Sequence, residues 1–204
     1  MSPFLHLYLG HLFGDYVLQS GWIASRKARE RKILVLHAFL VTVSHVVFIL
    51  GRNLRPYHII WILALGGVHY SIDLFKTLKG NSGWRWYLLD QAIHFATIVL
   101  FAPLFSGVDF LLPDWITIRA ILSVFNAYLI GILFHSVFNS GGVYRRDIVG
   151  YLFRAALPWV PGIWPTVALG ILGIFTTWKI HGRRDSVVST ALSSVITLLW
   201  EVVA

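Results

Sequence analysis

Apolar stretches long enough to cross a lipid bilayer follow one another along the whole chain, separated by short basic, glycine-containing or proline-containing connections. A hydrocarbon core of about 30 Å needs roughly 20 apolar residues per helix, and six or seven stretches approach this length. The expected spans are 3–24, 33–50, 58–78, 84–105, 116–138 and 186–203. The pattern therefore predicts an all-α integral membrane protein, a polytopic bundle of six or seven transmembrane helices.

The segment 147–178 is the exception to this regular pattern. Three prolines and a glycine interrupt it: Pro158, Pro161, Gly162 and Pro165. Proline removes a helical hydrogen bond, so we expect a short helix, a broken connection and a shorter or re-entrant span here. The spans leave no room for a separate soluble domain, and residues 1–204 are predicted to form one transmembrane domain. Residues 3–105 make a four-helix half, and 106–204 supply accessory helices.

The composition agrees with this prediction and restricts the possible partners and metal ligands. The 204 residues are 57% hydrophobic and 13% charged, and their mean hydropathy is +0.71. The net charge of +8 comes from lysines and arginines in the connections, which favours membrane lipids with anionic headgroups as partners and argues against nucleic acid. The chain has no cysteine, which excludes thiolate ligands and cysteine nucleophiles. Any metal must be held by His, Asp, Glu or amide groups.

The basic connections also predict an orientation. The connection between residues 26 and 32 holds five basic residues against one acid, whereas the connection after the fourth span carries Asp109 and Asp114. By the positive-inside rule the N-terminus lies outside, and the first connection is cytoplasmic. The first span lacks a basic leader and a small-residue cleavage motif, so it is expected to be a retained helix.

Three pairs of ionisable residues interrupt the otherwise apolar spans. Each pair combines a histidine and an aspartate one helical turn apart: His11 with Asp15, His69 with Asp73, and Asp90 with His94. Residues four apart leave the same face of a helix. A carboxylate near mid-bilayer costs about 2.5–3.5 kcal/mol and is seldom retained without a role. The pairs are therefore the main candidates for chemistry or ion handling.

The pairs are expected to meet at one level of the bundle. Counting 1.5 Å per residue from the expected cytoplasmic helix ends places most of these side chains, with Gln19 and His37, about 6–15 Å inside. His11 and His45, about 18–21 Å inside, extend the polar column toward the membrane centre. The first two pairs resemble a weak tandem repeat of helical hairpins. The repeat would build one four-ligand site, or two metal sites completed by the third pair.

Three interpretations of this polar layer stay open. A metal site needs three or four His or carboxylate ligands with supporting hydrogen bonds, and the layer supplies them. A proton or ion relay uses the same residue types in a column, which the depth of His11 and His45 favours. The third interpretation is a polar network that only joins helices, with histidine protons satisfied by aspartates.

The first interpretation gives each residue a predicted role. The metal ligands would be His11, Asp15, His69, Asp73, Asp90 and His94. Asp15, Asp90 and His37 would be catalytic, and Gln19, Gln91, Arg26 and Lys27 would bind substrate. The cofactor would be a divalent metal ion, with zinc favoured. The predicted activity is a metal-dependent hydrolase or transferase acting on a lipid or lipid-linked phosphate at the cytoplasmic side. A proton- or ion-coupled transporter and a membrane scaffold or assembly factor are the alternatives.

Other polar residues carry expectations of a structural kind. His6, His58 and His181 lie near span ends and are expected at the membrane interface, where an imidazole reaches water. Asn126 is expected to bond between helices. His135 with Asn139 is expected to cap a helix.

The strings HLFGDYVLQSGWIA, HYSIDLFK and LLDQAIH, which start at His11, His69 and Leu88, carry a family resemblance. The first half of the chain resembles an uncharacterised bacterial family of polytopic inner-membrane proteins, catalogued as domain of unknown function 3307. The resemblance implies a membrane location and a helical fold, and it implies no activity.

Overall fold

The computed structural model of this protein describes residues 1–80, 83–138, 148–181 and 184–203. These residues form ten α-helices, numbered in chain order: α1 Pro3–Leu12, α2 Gly21–Arg26, α3 Arg31–Phe48, α4 Pro56–Lys79, α5 Trp84–Phe101, α6 Asp114–Val124, α7 Ile130–Phe138, α8 Ile148–Ala156, α9 Ile163–His181 and α10 Arg184–Val203. Within the described part, six helices or helix continuations are long and apolar enough to cross a membrane. The predicted all-α polytopic bundle is confirmed.

The first predicted span is not one continuous helix. After α1 the chain continues as a π-helical segment, Phe13–Leu18, and the helix ends at Gln19, whose backbone is extended (φ −72°, ψ 93°). The side chain of Ser20 then accepts a hydrogen bond from the backbone N–H of Ile23 at 3.3 Å and begins α2. A serine cap on a new helix is the physical reason for the break, which apolar length alone did not indicate.

The proline-containing segment follows the expectation. Helix α8 is followed by a 3₁₀ turn, Leu157–Trp159, and by α9, an apolar span of 19 residues. The fifth predicted span is helical from Asp114 to Phe138, with a π-helical segment, Phe125–Leu129, between α6 and α7. Asn139, expected to pair with His135, lies outside the described residues.

The chain divides into two compact units, Met1–Ile121 and Leu122–Ala204. In the first unit a two-stranded antiparallel sheet, β1 Gly51–Arg52 with β2 Asp109–Phe110, ties the end of α3 to the segment that follows α5. An apolar core lies beside this sheet, and its fully buried members include Leu7, Ile49, Ile62, Ile98 and Phe105. These contacts fix α1, α3, α4 and α5 against one another, and the same helices carry the ionisable pairs.

Two glycines allow α1 and its π-helical extension to approach α3 closely. A Cβ atom at Gly10 would lie 3.0 Å from the Cα of His45, and one at Gly14 would lie 2.7 Å from the Cα of Val41. Both positions face backbone that cannot move aside easily. Small residues four apart are a common way for membrane helices to pack closely. The contact brings Asp15 beside the polar face of α3.

Two histidines expected at the membrane interface are instead buried. His6 is 0% exposed and His58 is 2% exposed. The ring nitrogens of His6 contact the carbonyl oxygens of Ser2 and Leu112, each at 2.9 Å. His58 Nδ1 accepts the backbone N–H of Arg55 at 2.8 Å. The prediction that these imidazoles reach water was wrong, because both side chains are buried and each hydrogen-bonds to backbone groups near a helix end. The side chain of His181 lies outside the described residues.

The second unit is organised around a polar face of α10. Its buried hydroxyl residues are Ser186, Ser189, Thr190, Ser193, Ser194 and Thr197. Asn126 donates to the Thr197 hydroxyl at 3.0 Å, which confirms the expected bond between helices. His135 Nδ1 lies 3.3 Å from an Asp185 carboxylate oxygen. Arg154, 1% exposed, donates to Ser189 at 3.1 Å.

Candidate metal centre

Four neighbouring helical segments of the first unit bring seven ionisable side chains together. The segment α1 with its π-helical extension supplies His11 and Asp15, α3 supplies His37, α4 supplies His69 and Asp73, and α5 supplies Asp90 and His94. None of the seven is more than 8% exposed. The expected convergence of the three pairs is confirmed, since Asp15 of the first pair contacts His69 of the second, and Asp73 contacts His94 of the third.

Asp15 lies inside the π-helical segment, which widens the helix by one residue per turn. Such segments are rare and occur often at functional sites. The carboxylate of Asp15 remains near His11, with Nε2 and Oδ2 3.6 Å apart, while its other oxygen reaches α3 and α4. The local distortion therefore places Asp15 between three helices.

Three potential ligand atoms form a nearly equilateral triangle. Asp15 Oδ1 lies 3.3 Å from His37 Nε2 and 3.4 Å from His69 Nε2, and the two nitrogens are 3.3 Å apart. Ligands held at about 2.0–2.1 Å by a tetrahedral metal ion lie about 3.3–3.4 Å from each other. The three atoms therefore already have the spacing of metal ligands.

The contacts of Asp15 Oδ1 are not ordinary hydrogen bonds. Within the described residues this buried atom makes no hydrogen bond of regular geometry, although two imidazole nitrogens contact it. Burying a carboxylate oxygen without a well-formed hydrogen bond is unfavourable. A cation between the three atoms would remove this unfavourable burial.

Two further groups of three possible ligands adjoin this triangle, and one of them shares His69 with it. His11, His69 and His94 form one, and Asp73, Asp90 and His94 form the other; the possible ligand atoms of each group lie within 4.8 Å of one another. A cavity of about 10 Å³ adjoins the first group, lined in part by His11, His69 and His94. This volume is close to that of a single water molecule or ion. The cluster is therefore a continuous arrangement of nitrogen and oxygen ligands.

Two lysines contact the carboxylates of the cluster. Lys27, which follows α2, donates to Asp73 Oδ2 at 2.8 Å. Lys76 of α4 donates to Asp90 Oδ2 at 2.7 Å. Both ammonium groups are partly exposed, with side chains 21% and 35% accessible. They neutralise part of the buried negative charge from the side of the basic connection.

The remaining predicted substrate-binding residues lie at the edge of the cluster or outside it. Gln91 contacts Asp90 Oδ2 through its amide nitrogen at 3.5 Å. Gln19 lies at the end of the π-helical segment, four residues after Asp15. Arg26 lies over the ring of Trp22 and near Glu30, and these contacts are away from the cluster.

Three residues beside the cluster were missed by the sequence reasoning. Lys76 follows Asp73 by three positions on α4, so the one-turn spacing used for the pairs would have placed it on the same face. Tyr16 follows Asp15 directly, and its hydroxyl bonds to that of Tyr87 at 2.7 Å. Tyr87 precedes Asp90 by three positions, so the one-turn spacing would also have placed Tyr87 on the face of Asp90.

A column of imidazoles runs from the cluster toward the apolar core. Successive ring centroids are separated by 5.3 Å from His37 to His69, 4.4 Å to His94, 4.9 Å to His11 and 6.5 Å to His45. The five rings lie on four helical segments of one unit. This column was expected from the depth of His11 and His45.

The buried imidazole and carboxylate groups could hold a metal ion. Imidazole nitrogen and carboxylate oxygen are the ligands that zinc takes where cysteine is absent, and catalytic zinc sites commonly use three protein ligands. All of the candidate ligands are buried, and they come from helices held by packed contacts.

Comparisons with known proteins give a family and no activity. No curated protein and no solved structure matches the chain. The family model described as protein of unknown function (DUF3307) matches residues 4–122, which is more than half of the chain and includes every residue of the candidate metal centre. The protein therefore belongs to this family of unknown function.

Proposed function

We propose that this protein is a metal-dependent membrane enzyme, a hydrolase or transferase that acts on a lipid or lipid-linked phosphate. The triangle formed by Asp15, His37 and His69 carries the proposal, because its edges of 3.3–3.4 Å match the ligand spacing of a tetrahedral metal ion. In this role a divalent metal, zinc in the first instance, activates water or polarises a phosphoryl oxygen.

The substrate class follows from the charges around the triangle. Lys27 and Lys76 reach the cluster from the partly exposed side, and the neighbouring connection is basic. Ammonium groups in this position are suited to an anionic phosphate. Because the surrounding helices are apolar enough to span a bilayer, the phosphate is proposed to be attached to a lipid. His37, which the sequence analysis expected to be catalytic, is here proposed as a metal ligand.

Metal content is the first test of the proposal. The full chain is purified in detergent without chelator, and its metals are measured by elemental analysis. We expect at least one zinc or similar divalent ion per chain and its loss in His69→Ala. The matched control is His135→Ala, which removes another buried histidine that contacts an aspartate. A metal-free wild type that zinc does not stabilise against heat contradicts the proposal.

Activity is tested with defined lipids. Phosphatidic acid and a polyprenyl pyrophosphate are presented in mixed micelles, and released phosphate is measured with and without EDTA. We expect release that requires metal and is abolished in Asp15→Asn. Release that survives both EDTA and this substitution would show that the metal centre is not the active site.

The proposed orientation places the cluster toward the cytoplasm of a bacterial inner membrane, with the N-terminus outside. The chain has no cysteine, so single cysteines can be labelled without background. Arg29→Cys in the basic connection should react with a membrane-impermeant maleimide only after the membrane is opened. Leu111→Cys, after β2, should react in intact cells. The reverse pattern contradicts the orientation.

The imidazole column supports a second candidate function, a proton- or ion-coupled transporter. Ring centroids 4.4–6.5 Å apart from His37 to His45 are the supporting observation, since ionisable side chains in series form proton relays in membrane proteins. The test is pH-dependent flux in proteoliposomes. This candidate predicts flux that is lost in His45→Phe, whereas the enzyme predicts no flux and unchanged metal content in that variant.

A further inference from the structure

We infer that the cluster binds a second divalent cation beside the first, and that Asp73 bridges the two. The inference rests on the proposed function, because the first cation position is the triangle of Asp15, His37 and His69. The second position lies between Asp73, Asp90 and His94. The bound pair would be a dinuclear centre for a phosphate ester or pyrophosphate.

The two oxygens of Asp73 contact different histidines. Oδ2 lies 3.3 Å from His37 Nε2, which belongs to the first position. Oδ1 lies 3.5 Å from His94 Nε2. A carboxylate with one oxygen directed to each of two ligand groups is suited to bridge two cations. Metal ions in two-metal sites are about 3.5–4 Å apart.

The second position has buried ligand atoms that lack ordinary partners. His94 is 2% exposed and Asp90 is 8% exposed. Within the described residues, neither His94 Nε2 nor Asp90 Oδ1 makes a hydrogen bond of regular geometry. These two atoms lie 3.7 Å apart. Two buried ligand atoms that face each other without a regular hydrogen bond are suited to hold a cation between them.

Lys76 orients Asp90 for this role. Its ammonium group holds Asp90 Oδ2 at 2.7 Å, which leaves Oδ1 directed toward His94. The spacings of 3.5 and 3.7 Å exceed the edge of a tetrahedral zinc site by about 0.1–0.4 Å. Small rotations of the two aspartate side chains would close this difference, whereas the first position needs no change.

A dinuclear centre narrows the substrate class. Two cations held by one carboxylate stabilise the attacking and leaving oxygens of a displacement at phosphorus. A phosphomonoester or pyrophosphate offers enough anionic oxygens to contact both ions. The inference therefore favours phosphate transfer or hydrolysis over hydrolysis of a carboxylic ester.

The test uses Mn²⁺ as a probe of the purified full chain in detergent. Metal-free protein is titrated with Mn²⁺, the bound ions are counted, and the electron paramagnetic resonance spectrum is recorded. We expect two ions per chain and the exchange-coupled spectrum of a pair a few ångströms apart. We expect one ion and an uncoupled spectrum in Asp90→Asn. Asp185→Asn, at the histidine-contacting aspartate of the second unit, is the matched control and should keep two coupled ions.

Each result decides between the two proposals. One ion in the wild type, or two without coupling, overturns the dinuclear inference and leaves the first position intact. No bound ion overturns both proposals. Two coupled ions in Asp90→Asn overturn the assignment of the second position. The ion count and spectrum of the wild type do not depend on a variant, and they decide the inference even if Asp90→Asn fails to fold.

Discussion

Replacing Lys27 with methionine should lower the stability of the metal-free protein and tighten its binding of a metal ion. Lys27 Nζ lies 2.8 Å from Asp73 Oδ2, and the aspartate side chain is only 5% exposed. The same oxygen lies near both imidazoles of the first cation position. The ammonium group therefore stabilises Asp73 without metal and competes with a metal ion for it.

The size of the effect follows from the geometry. At an effective dielectric constant of about 20, two unit charges 2.8 Å apart attract by about 6 kcal/mol, and desolvation of both groups offsets part of this. Removing one member of a buried pair typically destabilises by about 3–5 kcal/mol. Lys27 is 21% exposed, so we expect about 3 kcal/mol, or about 6–12 °C in Tm for a chain of this length.

Metal should reverse most of this loss. A divalent ion at Asp73 supplies the missing positive charge, so we expect Lys27→Met to destabilise the metal-loaded protein by less than about 1 kcal/mol. The difference of about 2 kcal/mol corresponds to roughly 30-fold tighter metal binding.

Thermal unfolding in EDTA and in saturating Zn²⁺, together with a Zn²⁺ titration, measures both effects. Lys79→Met is the matched control, because Lys79 is an exposed lysine whose ammonium group lies over the Phe75 ring. It should change neither quantity appreciably. Equal destabilisation with and without metal, or weaker metal binding in Lys27→Met, would refute the reasoning.

Three further predictions concern packing and hydrogen bonds between helices. Gly14→Ala should destabilise by about 1–3 kcal/mol, because its Cβ would lie 2.7 Å from the Cα of Val41; an unchanged Tm contradicts this. Tyr87→Phe removes the bond to the Tyr16 hydroxyl and should lower stability by about 1 kcal/mol with metal content unchanged; lost metal would instead make the pair part of the centre. Asn126→Ala should lower stability by about 0.6 kcal/mol, the mean for such bonds in membrane helices, and a metal content below that of the wild type would contradict its assignment to packing alone.

The positions of the pairs could be predicted from the sequence because two simple regularities govern them. Apolar length locates the helices, and one-turn spacing fixes which side chains share a face. Asp15 with His11 and Asp73 with His69 therefore had to leave their helices together, and burial of a carboxylate in lipid is unfavourable enough to turn them inward.

Other features depend on contacts between distant segments, which spacing does not encode. The burial of His6 follows from the carbonyl oxygen of Leu112, and the path of that segment is set by the small sheet. The place of Lys27 depends on the break at Gln19, which begins a new helix and carries the lysine back toward α4. Local patterns predicted a basic connection there but not its contact with Asp73.

The charge of the cluster favours the proposed metal centre over a purely structural network. Three buried carboxylates face the two ammonium groups of Lys27 and Lys76, so one negative charge is in excess before any imidazole is counted. A purely structural network would be most stable with equal numbers of positive and negative charges, because an unpaired buried charge is unfavourable. A divalent ion that displaces Lys27 from Asp73 restores the balance. Lys27 follows the last residue of α2, so its side chain can move away from Asp73 without disturbing a long helix. Lys76 lies within α4, and it is proposed to keep its contact with Asp90. A second divalent ion then leaves two positive charges in excess, which is the charge that a doubly anionic phosphate would neutralise.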